Sequence, residues 1–499
     1  MKTLIVNKKN KNSFYGCTLT YGHFSTIHPG HIRYLSNAKK KSGKLVIGLI
    51  GDHISSKSVF FRHTQKERAN ALKILNIADG IFLLNENFLS EAINLLNPSN
   101  LILGNEFKNS NEDEITKAIG LIKRKNGEIY YDAGDITYTS SFLLEETEKL
   151  VKDKRISSFR ESLDQQLINK SDLLLALDKF AKGKVLVLGD TIIDQYIDSE
   201  PLGISAEAPV IVVKEINKKN FVGGAAIVAS HIKSLGSICN YISITGNDYP
   251  CEFLEKNLKN QKIEFSLIKD NKRPTTLKKR YLVDNQKIFR VSKLENKFIE
   301  KETEDKIIKL IKNKSKELDV IVFSDFNYGV ITPRIIGEIS KIALENNIKL
   351  LGDVQCSSQI GYITKLRNFD LICANEKEAR IALNDNFSGL ETICKKLITE
   401  TKAKNLIIKL GSKGFILYYS KNKNDINSQP FPALSAHPVD VAGAGDSLLA
   451  TMACGISSGI PLVTTAALSC CVSCLSVERM GNVPVSSNEV KNTLNNLDI

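Results

Sequence analysis

The segment that decides the fold reads Pro438-Val439-Asp440-Val441-Ala442-Gly443-Ala444-Gly445-Asp446-Ser447-Leu448-Leu449-Ala450. Its two glycines allow a tight turn, and the apolar run that follows predicts a helix. Backbone N–H groups at the start of such a helix can face a phosphate. Asp446, on the first helical turn, can then take the proton of an attacking sugar hydroxyl. The segment predicts phosphoryl transfer, although an ordinary turn before a buried helix has the same local pattern.

Length and composition predict a globular protein of two or three domains. The chain has 499 residues, of which 42% are hydrophobic and 25% charged, enough for each domain to bury a core. No apolar run approaches the roughly 20 residues that a membrane span needs. The first residues also lack the apolar centre of a signal peptide. We therefore expect a cytoplasmic protein that does not bind membranes.

The net charge of +13 does not by itself indicate nucleic acid. The lysines are spread along the chain rather than gathered in one basic tract, and no nucleic-acid-reading module accompanies them. Anionic small substrates explain the sign equally well. Of the ten cysteines, Cys470, Cys471 and Cys474 cluster in an apolar run, without a second Cys or His pair nearby. We expect them to be reduced, buried helix residues rather than metal ligands.

Residues 1–147 alternate between strand-like and helix-like segments, which predicts a parallel sheet covered by helices. The predicted strands are 17–21, 44–50, 80–84, 100–103 and 127–131. Two predicted helices start at Pro29 and Gln65, and two more span 89–96 and 114–124. Thr64-Gln65-Lys66-Glu67 has the pattern of a capping box, which opens the second helix.

A pair of histidines follows the first predicted strand, within the segment from Thr20 to His31. His28 and His31 lie on one face at a helix start, where their rings can donate to phosphate oxygens. Gly22 and Gly30 allow a nucleotide to approach the backbone. A lone histidine is more often structural, but Gly-x-Phe combined with His-x-Gly-His predicts a nucleotide site.

This segment resembles the nucleotidyltransferase superfamily that includes glycerol-3-phosphate cytidylyltransferase, phosphopantetheine adenylyltransferase and the heptose-1-phosphate adenylyltransferases. The resemblance implies a Rossmann-like domain in which His28 and His31 stabilise the triphosphate as a phosphorylated acceptor attacks and pyrophosphate leaves. Ser25 and Leu103-Gly104-Asn105-Glu106 depart from the usual residues of the family, which leaves the acceptor open. The nucleotide-binding residues that the resemblance implies are Gly22, Phe24, Ser140 and Ser141.

Residues 148–170 connect this domain to the next one. They are polar and charged, with one thin apolar stripe at helical spacing. The stripe consists of Ile156, Phe159, Leu163 and Leu167. The segment is either a linker or a helix that docks on a neighbouring domain.

Residues 171–499 predict a second α/β domain. A buried strand ends at Gly189-Asp190 and is followed by Asp194, so carboxylates lie where they can bind sugar hydroxyls, although turn-forming aspartates give the same pattern. Residues 206–213 and a hairpin of 276–283 with 286–291 predict a small β lid. Residues 221–236 predict a glycine-led helix that stops at Gly236. Further strands are predicted at 320–323, 348–351, 370–373 and 405–410, and helices at 334–345 and 377–383.

Five motifs of this domain occur in the order found in ribokinase-like, or PfkB-like, sugar kinases, and the match spans most of residues 182–485. They are Gly189-Asp190, Gly223-Gly224, Asn375-Glu376-Lys377-Glu378, Lys409-Leu410-Gly411-Ser412-Lys413-Gly414 and Gly443-Ala444-Gly445-Asp446. The resemblance implies that Asp446 is the catalytic base and that the N–H groups of Ala444, Gly445 and Asp446 form an anion hole beside Gly443.

The same resemblance implies the binding residues of the kinase. Nucleotide binding falls to Asn375, Glu376, Lys377, Glu378, Lys409, Gly411 and Gly414. The resemblance implies that Glu378 holds Mg²⁺ through water and that Asn375 and Glu378 together organise the magnesium-bound ATP. The residues implied to face the sugar are Asp190, Asp194, Gly223 and Gly224.

The segments 203–210 and 223–226 resemble in particular the heptose-7-phosphate kinase part of bifunctional enzymes that make ADP-heptose. In those enzymes the nucleotidyltransferase follows the kinase, whereas here it comes first; tethered domains need no fixed order. The resemblance implies small-molecule partners, namely sugar phosphates and nucleotides. It also implies a homodimer in which the lids pair.

Four positions depart from the pattern of the heptose kinase: Ile227 replaces Asn, Tyr328 replaces Lys, Gln355 replaces Lys, and Ala442 replaces Thr. Loss of one buried polar contact costs about 1–3 kcal/mol, so the sugar can differ from heptose 7-phosphate. One alternative keeps both activities on another sugar and uses CTP in the first domain. Another treats the kinase-like domain as a non-catalytic sugar-binding module. The sequence leaves open the sugar, its anomer, the nucleotide base and the oligomeric state.

Overall fold

The computed structural model describes residues 3–24, 27, 29–41, 43–52, 63–104, 107, 112–132, 148–205, 207–208, 210–284, 286–355, 362–422, 425–497 and 499. The chain divides into two compact units. The first comprises Met1–Thr147 and Asn384–Lys395, and the second Glu148–Leu383 and Lys396–Ile499. None of the helices in the described ranges is long and apolar enough to cross a bilayer.

The first unit is built on a parallel sheet of six described strands in the order β1-β4-β3-β2-β5-β6. Its strands are β1 (Leu4–Ile5), β2 (Thr18–Gly22), β3 (Leu45–Leu49), β4 (Gly80–Leu83), β5 (Asn100–Gly104) and β6 (Glu128–Asp132). Its helices are α1 (Pro29–Lys41), α2 (Gln65–Leu75), α3 (Leu89–Leu96) and α4 (Asp113–Arg124). The predicted parallel α/β arrangement is confirmed, with strand ends displaced by one or two residues.

Local sequence explains where these elements begin and meet. The capping box at α2 is confirmed, because Thr64 Oγ1 accepts the Glu67 N–H and the Glu67 carboxylate accepts the Thr64 N–H. All five residues of β3 are buried, as expected for a strand covered on both faces. Because β2 lies between β3 and β5, the strand order reverses beside Gly22. Ligands of open α/β sheets bind at such a reversal.

The second unit contains a sheet whose described strands follow the order β11-β10-β7-β14-β15-β16-β17-β18-β19, with the last two pairings antiparallel. These strands are β7 (Lys184–Gly189), β10 (Ile238–Thr245), β11 (Glu264–Lys269), β14 (Val320–Asp325), β15 (Lys349–Val354), β16 (Leu371–Asn375), β17 (Asn405–Lys409), β18 (Phe415–Asn422) and β19 (Asp425–Phe431).

The helices that follow α4 along the chain are α5 (Glu148–Asp164), α6 (Lys170–Lys179), α7 (Ala225–Ser234), α8 (Tyr249–Asn260), α9 (Lys301–Lys314), α10 (Pro333–Glu345), α11 (Glu376–Leu383), α12 (Leu390–Thr401), α13 (Ala444–Ser457), α14 (Leu462–Val477) and α15 (Ser487–Asn496). The three cysteines of α14 are free thiols, and Cys470 and Cys471 are buried, as predicted.

A separate sheet, which we call the lid, has its described strands in the order β13-β12-β8-β9. They are β8 (Thr191–Ile204), β9 (Ile211–Gly224), β12 (Thr276–Val283) and β13 (Gln286–Lys293). The predicted hairpin is confirmed, but the sequence did not reveal the 14-residue strands β8 and β9. Most of β9 and all of β13 are exposed or only partly buried, so no alternation of apolar residues marks them.

The glycine-led segment differs from its prediction in one respect. Residues 221–224 end β9, and the helix α7 starts only at Ala225. Gly224 has a φ of 60° at the helix N-cap, a conformation that favours glycine. Gly236, with a φ of 112°, follows the end of α7 as predicted.

The helical alternative holds for most of the connecting segment. Phe159 and Leu163 of α5 are buried in the core of the second unit, and the Ser162 hydroxyl donates to the Pro430 carbonyl over 3.1 Å. The helix ends at Asp164, so Leu167 falls outside it and is 91% exposed. The apolar stripe therefore ends one turn earlier than its spacing suggests.

Truncation of Phe159 tests this docking. The side chain is fully buried, so Phe159→Ala should destabilise the second unit by about 3–5 kcal/mol. The matched variant Leu167→Ala, on the same segment, should change stability by less than about 0.5 kcal/mol. Urea unfolding monitored by circular dichroism measures both, and equal effects of the two substitutions would contradict the docking.

Candidate active sites

The first candidate site lies at the carboxyl end of β2 in the first unit. Phe24 adopts a φ of 47°, and its ring lies in the core with its centroid 4.9 Å from that of the His31 ring. The side chain of Phe24 therefore packs in the core beside His31, and the place of Phe24 at a nucleotide stays a prediction. A Cβ on Gly22 would lie 3.0 Å from the Phe24 ring, so this glycine first of all admits that ring.

A buried arginine organises this end of the sheet, and the sequence did not point to it. The Arg68 guanidinium donates to the His23 carbonyl over 2.6 Å and to the Ile50 carbonyl over 2.9 Å. It also forms an ion pair with Asp52 at 2.8 Å. Arg68 thus ties together the chain segments that leave β2 and β3. A charged residue beside Ala69 and Leu72, on the apolar face of α2, was the available signal.

Part of the predicted nucleotide site falls outside the described residues. These positions are His28, Ser140 and Ser141. His31 lies on the first turn of α1, where the resemblance requires it. The imidazole pair therefore stays a prediction.

The second candidate site, in the second unit, is built on the turn that opens α13. Gly443 has a φ of 84° at the helix N-cap, which favours glycine. No described side chain caps this helix, and the Ala444 N–H makes only a long hydrogen bond of 3.5 Å to the Val441 carbonyl. The N–H groups of Gly445 and Asp446 stay available to an anion. The predicted glycine turn at a helix start is confirmed, and we call residues 443–446 the anion turn.

The Asp446 carboxylate lies on this turn and is 6% exposed. Its Oδ1 accepts a hydrogen bond of 2.8 Å from the Gln355 amide. Burial raises the pKa of Asp446 to about 7, and the nearby Asp353 carboxylate acts in the same direction. A carboxylate with such a pKa can accept a proton near neutral pH. Gln355, which the sequence marked as a lost polar contact, in fact contacts this carboxylate.

Lys409 brings a positive charge to the anion turn. Its Nζ lies 2.6 Å from Asp353 Oδ2, and a Cβ on Gly445 would be 3.2 Å from the same nitrogen. Burial lowers the pKa of Lys409, but Asp353 raises it overall, so the ammonium stays charged. The side chain thus lies beside the anion turn, and its role in nucleotide binding stays a prediction.

The Asn375-to-Glu378 motif forms the start of α11. The Asn375 N–H donates to Glu378 Oε2 over 2.7 Å, and the Glu378 N–H donates to Asn375 Oδ1 over 2.8 Å. This reciprocal pair fixes the buried Glu378. Glu376 instead pairs with Arg380 at 2.8 Å, and Lys377 is exposed. Neither of these last two side chains therefore shares the buried cluster of Glu378.

The donor set at this site fits a magnesium ion carried by a nucleotide rather than one held by protein alone. No group of three or more acidic, His or Cys side chains suited to a metal occurs in the described part of the chain. Asp353 Oδ1 is buried and has no hydrogen-bond partner there. Burial raises the pKa of Asp353, and the charge of Glu378 acts in the same direction. Mg²⁺ typically binds one or two carboxylates together with substrate phosphates and waters.

Asp194 is the buried carboxylate that the lid contributes. It forms an ion pair with Arg280, and its Oδ2 accepts a hydrogen bond of 2.7 Å from the Asn482 amide. A Cβ on Gly223 would collide with Asp194 Oδ2, so the glycine admits this carboxylate. The structure thus brings Asp194 and Gly223 together, and their contact with a sugar stays a prediction.

Asn482 was missed by sequence reasoning. Its amide nitrogen binds Asp194, while its Oδ1 would lie 2.7 Å from a Cβ on Gly443. That Oδ1 is buried and has no hydrogen-bond partner among the described residues. Asn482 therefore bridges the lid and the anion turn. The only signal was a Gly-Asn pair after α14.

Asp190 has a different role from the sugar contact that the resemblance implied. It is buried, and its carboxylate accepts N–H groups of Phe326, Tyr328 and Val330 at 2.8, 3.2 and 3.3 Å. Because both oxygens serve the loop after β14, Asp190 positions that loop. Gly224 is likewise structural, since a Cβ there would collide with the Asp190 carbonyl.

The two glycines of the loop after β17 differ from each other. Both have positive φ, 62° at Gly411 and 93° at Gly414. A Cβ on Gly414 would collide with the Phe431 carbonyl, so Gly414 packs against β19. A Cβ on Gly411 would meet nothing within 4 Å, which leaves that side of the loop open. The place of both glycines beside a nucleotide stays a prediction.

Asp440 is a second carboxylate that ties the lid to the anion turn. It accepts hydrogen bonds from the Tyr196 hydroxyl at 2.6 Å and from Lys287 at 2.7 Å. Its Oδ1 also accepts the Ala442 N–H at 3.0 Å. Burial raises the pKa of Asp440, but the hydrogen bonds from Lys287 and Tyr196 lower it overall.

Asp440, just before the anion turn, and Asp446, on it, should therefore affect stability with opposite signs. The folded-state pKa of Asp446 is raised, so its ionisation destabilises the fold as pH rises above the unfolded value of 3.8. Asp446→Asn should stabilise the second unit by up to about 4 kcal/mol at pH 8 and by less at pH 5. Asp440→Asn should destabilise it at pH 8, because a carboxylate with a lowered pKa contributes stability above its unfolded pKa. Urea unfolding at both pH values measures this, and destabilisation by both variants at pH 8 would contradict the assignment.

Comparison with known proteins agrees with this architecture. Residues 182–488 match the family model of pfkB family carbohydrate kinases, and residues 19–160 match a cytidylyltransferase-like model. The bifunctional protein HldE of Campylobacter jejuni is 33% identical over 313 residues, which cover 62% of this chain and 64% of that protein. The chain thus spans about 64% of the length of the curated relatives that it matches first.

Solved structures of two kinases have a fold similar to that of part of this chain. Phosphofructokinase-2 of Escherichia coli has a TM-score of 0.52 at 14% identity, covering 64% of this chain and 100% of its own. Ribokinase of Arabidopsis thaliana has a TM-score of 0.51 at 16% identity, covering 62% and 98%. The predicted combination of a Rossmann-like nucleotidyltransferase domain and a ribokinase-like domain is confirmed. The chain belongs to the pfkB family of carbohydrate kinases, with a cytidylyltransferase-like domain preceding the kinase domain.

Proposed function

We propose that this chain catalyses two consecutive steps of sugar-nucleotide synthesis. The kinase, residues 171–499, phosphorylates a sugar phosphate with ATP, and the nucleotidyltransferase, residues 1–147, joins the resulting sugar 1-phosphate to a nucleotide and releases pyrophosphate. Residues 148–170 join the two. The observation that carries the proposal is the carboxylate of Asp446, with a pKa of about 7, on an uncapped helix start beside the ammonium of Lys409.

The acceptor that we propose is D-glycero-D-manno-heptose 7-phosphate, phosphorylated at O1, with ADP-heptose as the final product. Segments 203–210 and 223–226 support it through their resemblance to heptose-7-phosphate kinases. The 33% identity to a protein named bifunctional HldE supports the pairing of two activities. The two reactions follow each other, since the sugar 1-phosphate made by the kinase is the acceptor of the nucleotidyltransferase.

In the kinase step, Asp446 takes the proton of the acceptor hydroxyl as its oxygen bonds to the γ-phosphorus of ATP. The bond between that phosphorus and the β,γ-bridging oxygen breaks, and ADP leaves. The N–H groups of the anion turn and the Lys409 ammonium stabilise the negative charge of the transferred group. Glu378 and Asp353 would hold Mg²⁺ carried by the nucleotide, and the ion would neutralise part of the phosphate charge. Asp194 and Asn482 orient the sugar.

In the nucleotidyltransferase step, His28 and His31 are proposed to bind the triphosphate, with Ser140 and Ser141 near the phosphates. Arg68 stabilises this site, because its guanidinium donates hydrogen bonds to the segments after β2 and β3. The match to a cytidylyltransferase-like model favours an alternative in which this domain uses CTP, on another sugar. Release of pyrophosphate with ATP and with CTP, compared on one sugar 1-phosphate, separates the two.

A non-catalytic kinase-like module is less well supported. The substitution at Gln355 leaves a side chain that hydrogen-bonds to Asp446, so the catalytic carboxylate keeps a polar partner. Ile227 is buried on α7, where an apolar side chain packs well. We also propose a homodimer in which the lids pair. Apolar residues exposed on the lid support this pairing, among them Leu202, Ile204, Ile211 and Ile216.

The two activities should respond separately to loss of the base. With ATP, Mg²⁺ and heptose 7-phosphate, the purified chain should form heptose 1,7-bisphosphate, while the isolated second step is assayed with a supplied heptose 1-phosphate. Asp446→Asn should lower the kinase rate by at least about 10²-fold and leave pyrophosphate release unchanged. Mass spectrometry of the products measures both. Undiminished phosphorylation in the variant would contradict the assigned base.

The kinase rate should follow the ionisation of Asp446. Because the base must be deprotonated, kcat/KM should rise with pH around an apparent pKa of about 7. Gln355→Leu removes a hydrogen bond that lowers this pKa, so the midpoint should move to higher pH. The matched variant Gln195→Leu, whose amide donates to Asn220 within the lid, should leave the midpoint unchanged. A midpoint that shifts to lower pH in Gln355→Leu would contradict the assignment.

A further inference from the structure

Lys278 is a buried cation on the lid strand β12. The residue is 3% exposed. Its Nζ lies 5.3 Å from the ring centroid of Phe326 and 5.2 Å from that of Tyr328. No carboxylate within the described ranges lies within ion-pair distance of it. Burial of an ammonium without an anion is costly, and contacts with aromatic faces offset only part of that cost.

The strand register places Lys278 on the face of the lid that carries the sugar-side carboxylate. β12 runs parallel to β8, with Lys278 opposite Asp194 and Arg280 opposite Tyr196. Residues two apart on a strand share a face, so Lys278 and Arg280 point the same way. The Arg280 guanidinium pairs with Asp194 and lies 5.3 Å from the Tyr196 ring centroid.

Neighbouring cations on this face have carboxylate partners that Lys278 lacks. Arg280 is paired with Asp194, and Lys287 with Asp440. The buried Asp190 is not a partner of Lys278, because its oxygens accept three backbone N–H groups of the loop after β14. The buried ammonium of Lys278 therefore lacks an anion among the described residues.

We infer that Lys278 binds the phosphate group which the acceptor sugar already carries, with Arg280 beside it as a second cation. The inference rests on the proposed kinase function and explains why the acceptor is a phosphorylated sugar. A sugar phosphate supplies the missing anion, whereas a free sugar leaves Lys278 unmatched. The γ-phosphate of ATP has its own cations and N–H groups at the anion turn, with Lys409. The lid therefore selects phosphorylated over free sugars.

The test compares heptose 7-phosphate with free heptose as kinase acceptors in the full chain. Lys278→Met should lower kcat/KM for the phosphorylated sugar by roughly 10- to 100-fold, chiefly through KM, because a hydrogen bond to a charged group is lost. Activity on free heptose should not change. Lys279→Met is the matched control, since Lys279 is the next residue on β12 and faces the other way. Lys278→Arg, which keeps the charge, should retain most of the preference and excludes a folding defect.

The outcomes separate the two claims. A Lys278→Met variant that keeps the wild-type preference for the phosphorylated sugar overturns the inference. If no sugar phosphate is turned over at all, the proposed function fails. Binding of inorganic phosphate then tests whether Lys278 forms an anion site. With a non-hydrolysable ATP analogue on the anion turn, phosphate should raise the thermal unfolding midpoint of the wild type and of Lys279→Met but not of Lys278→Met. An equal rise in all three proteins would also overturn the inference.

Discussion

The amide of Asn482 joins the two halves of the kinase site. It donates to Asp194 on the lid and contacts Gly443 on the anion turn, so one side chain links the proposed sugar-binding surface to the proposed phosphate-binding backbone. Asp440 makes a parallel connection, because it binds Tyr196 of the lid and the backbone just before Gly443. The connection through Asn482 requires glycine at position 443, where a Cβ would lie 2.7 Å from the amide oxygen. A base on the turn can act on a sugar held by the lid only while these ties fix their relative position.

The buried carboxylates beside the anion turn lower the stability of the folded state. Burial raises the pKa of both Asp446 and Asp353, so these carboxylates favour the folded state less as they ionise. Lys409 offsets part of this cost through its ion pair with Asp353. The arrangement is typical of active sites, where titratable groups with perturbed pKa values gather in a cleft. The unmatched charge of Lys278 belongs to the same pattern, because a substrate completes it.

Much of the fold could be predicted from local patterns, and much of the site could not. The alternation of strands and helices, the capping box at Thr64 and the glycine turn at Gly443 each depend on residues close in sequence. Asn482 and Asp194 are 288 positions apart, and no local pattern encodes their contact. The first half of β8 is buried on both faces and most of β9 is exposed, so neither strand shows the alternation that marks a half-buried strand. For Asp190, the sequence indicated a carboxylate at a strand end but not that backbone N–H groups would occupy both its oxygens.

The central claim is that Asp446 receives the proton of the sugar hydroxyl that is phosphorylated. The most direct measurement is a crystal structure of the chain with a non-hydrolysable ATP analogue, Mg²⁺ and the acceptor sugar phosphate. The account predicts that the reacting hydroxyl lies within about 3.2 Å of the Asp446 carboxylate, in line with the terminal phosphate of the analogue. A reacting hydroxyl held by another group, out of reach of Asp446, would contradict it.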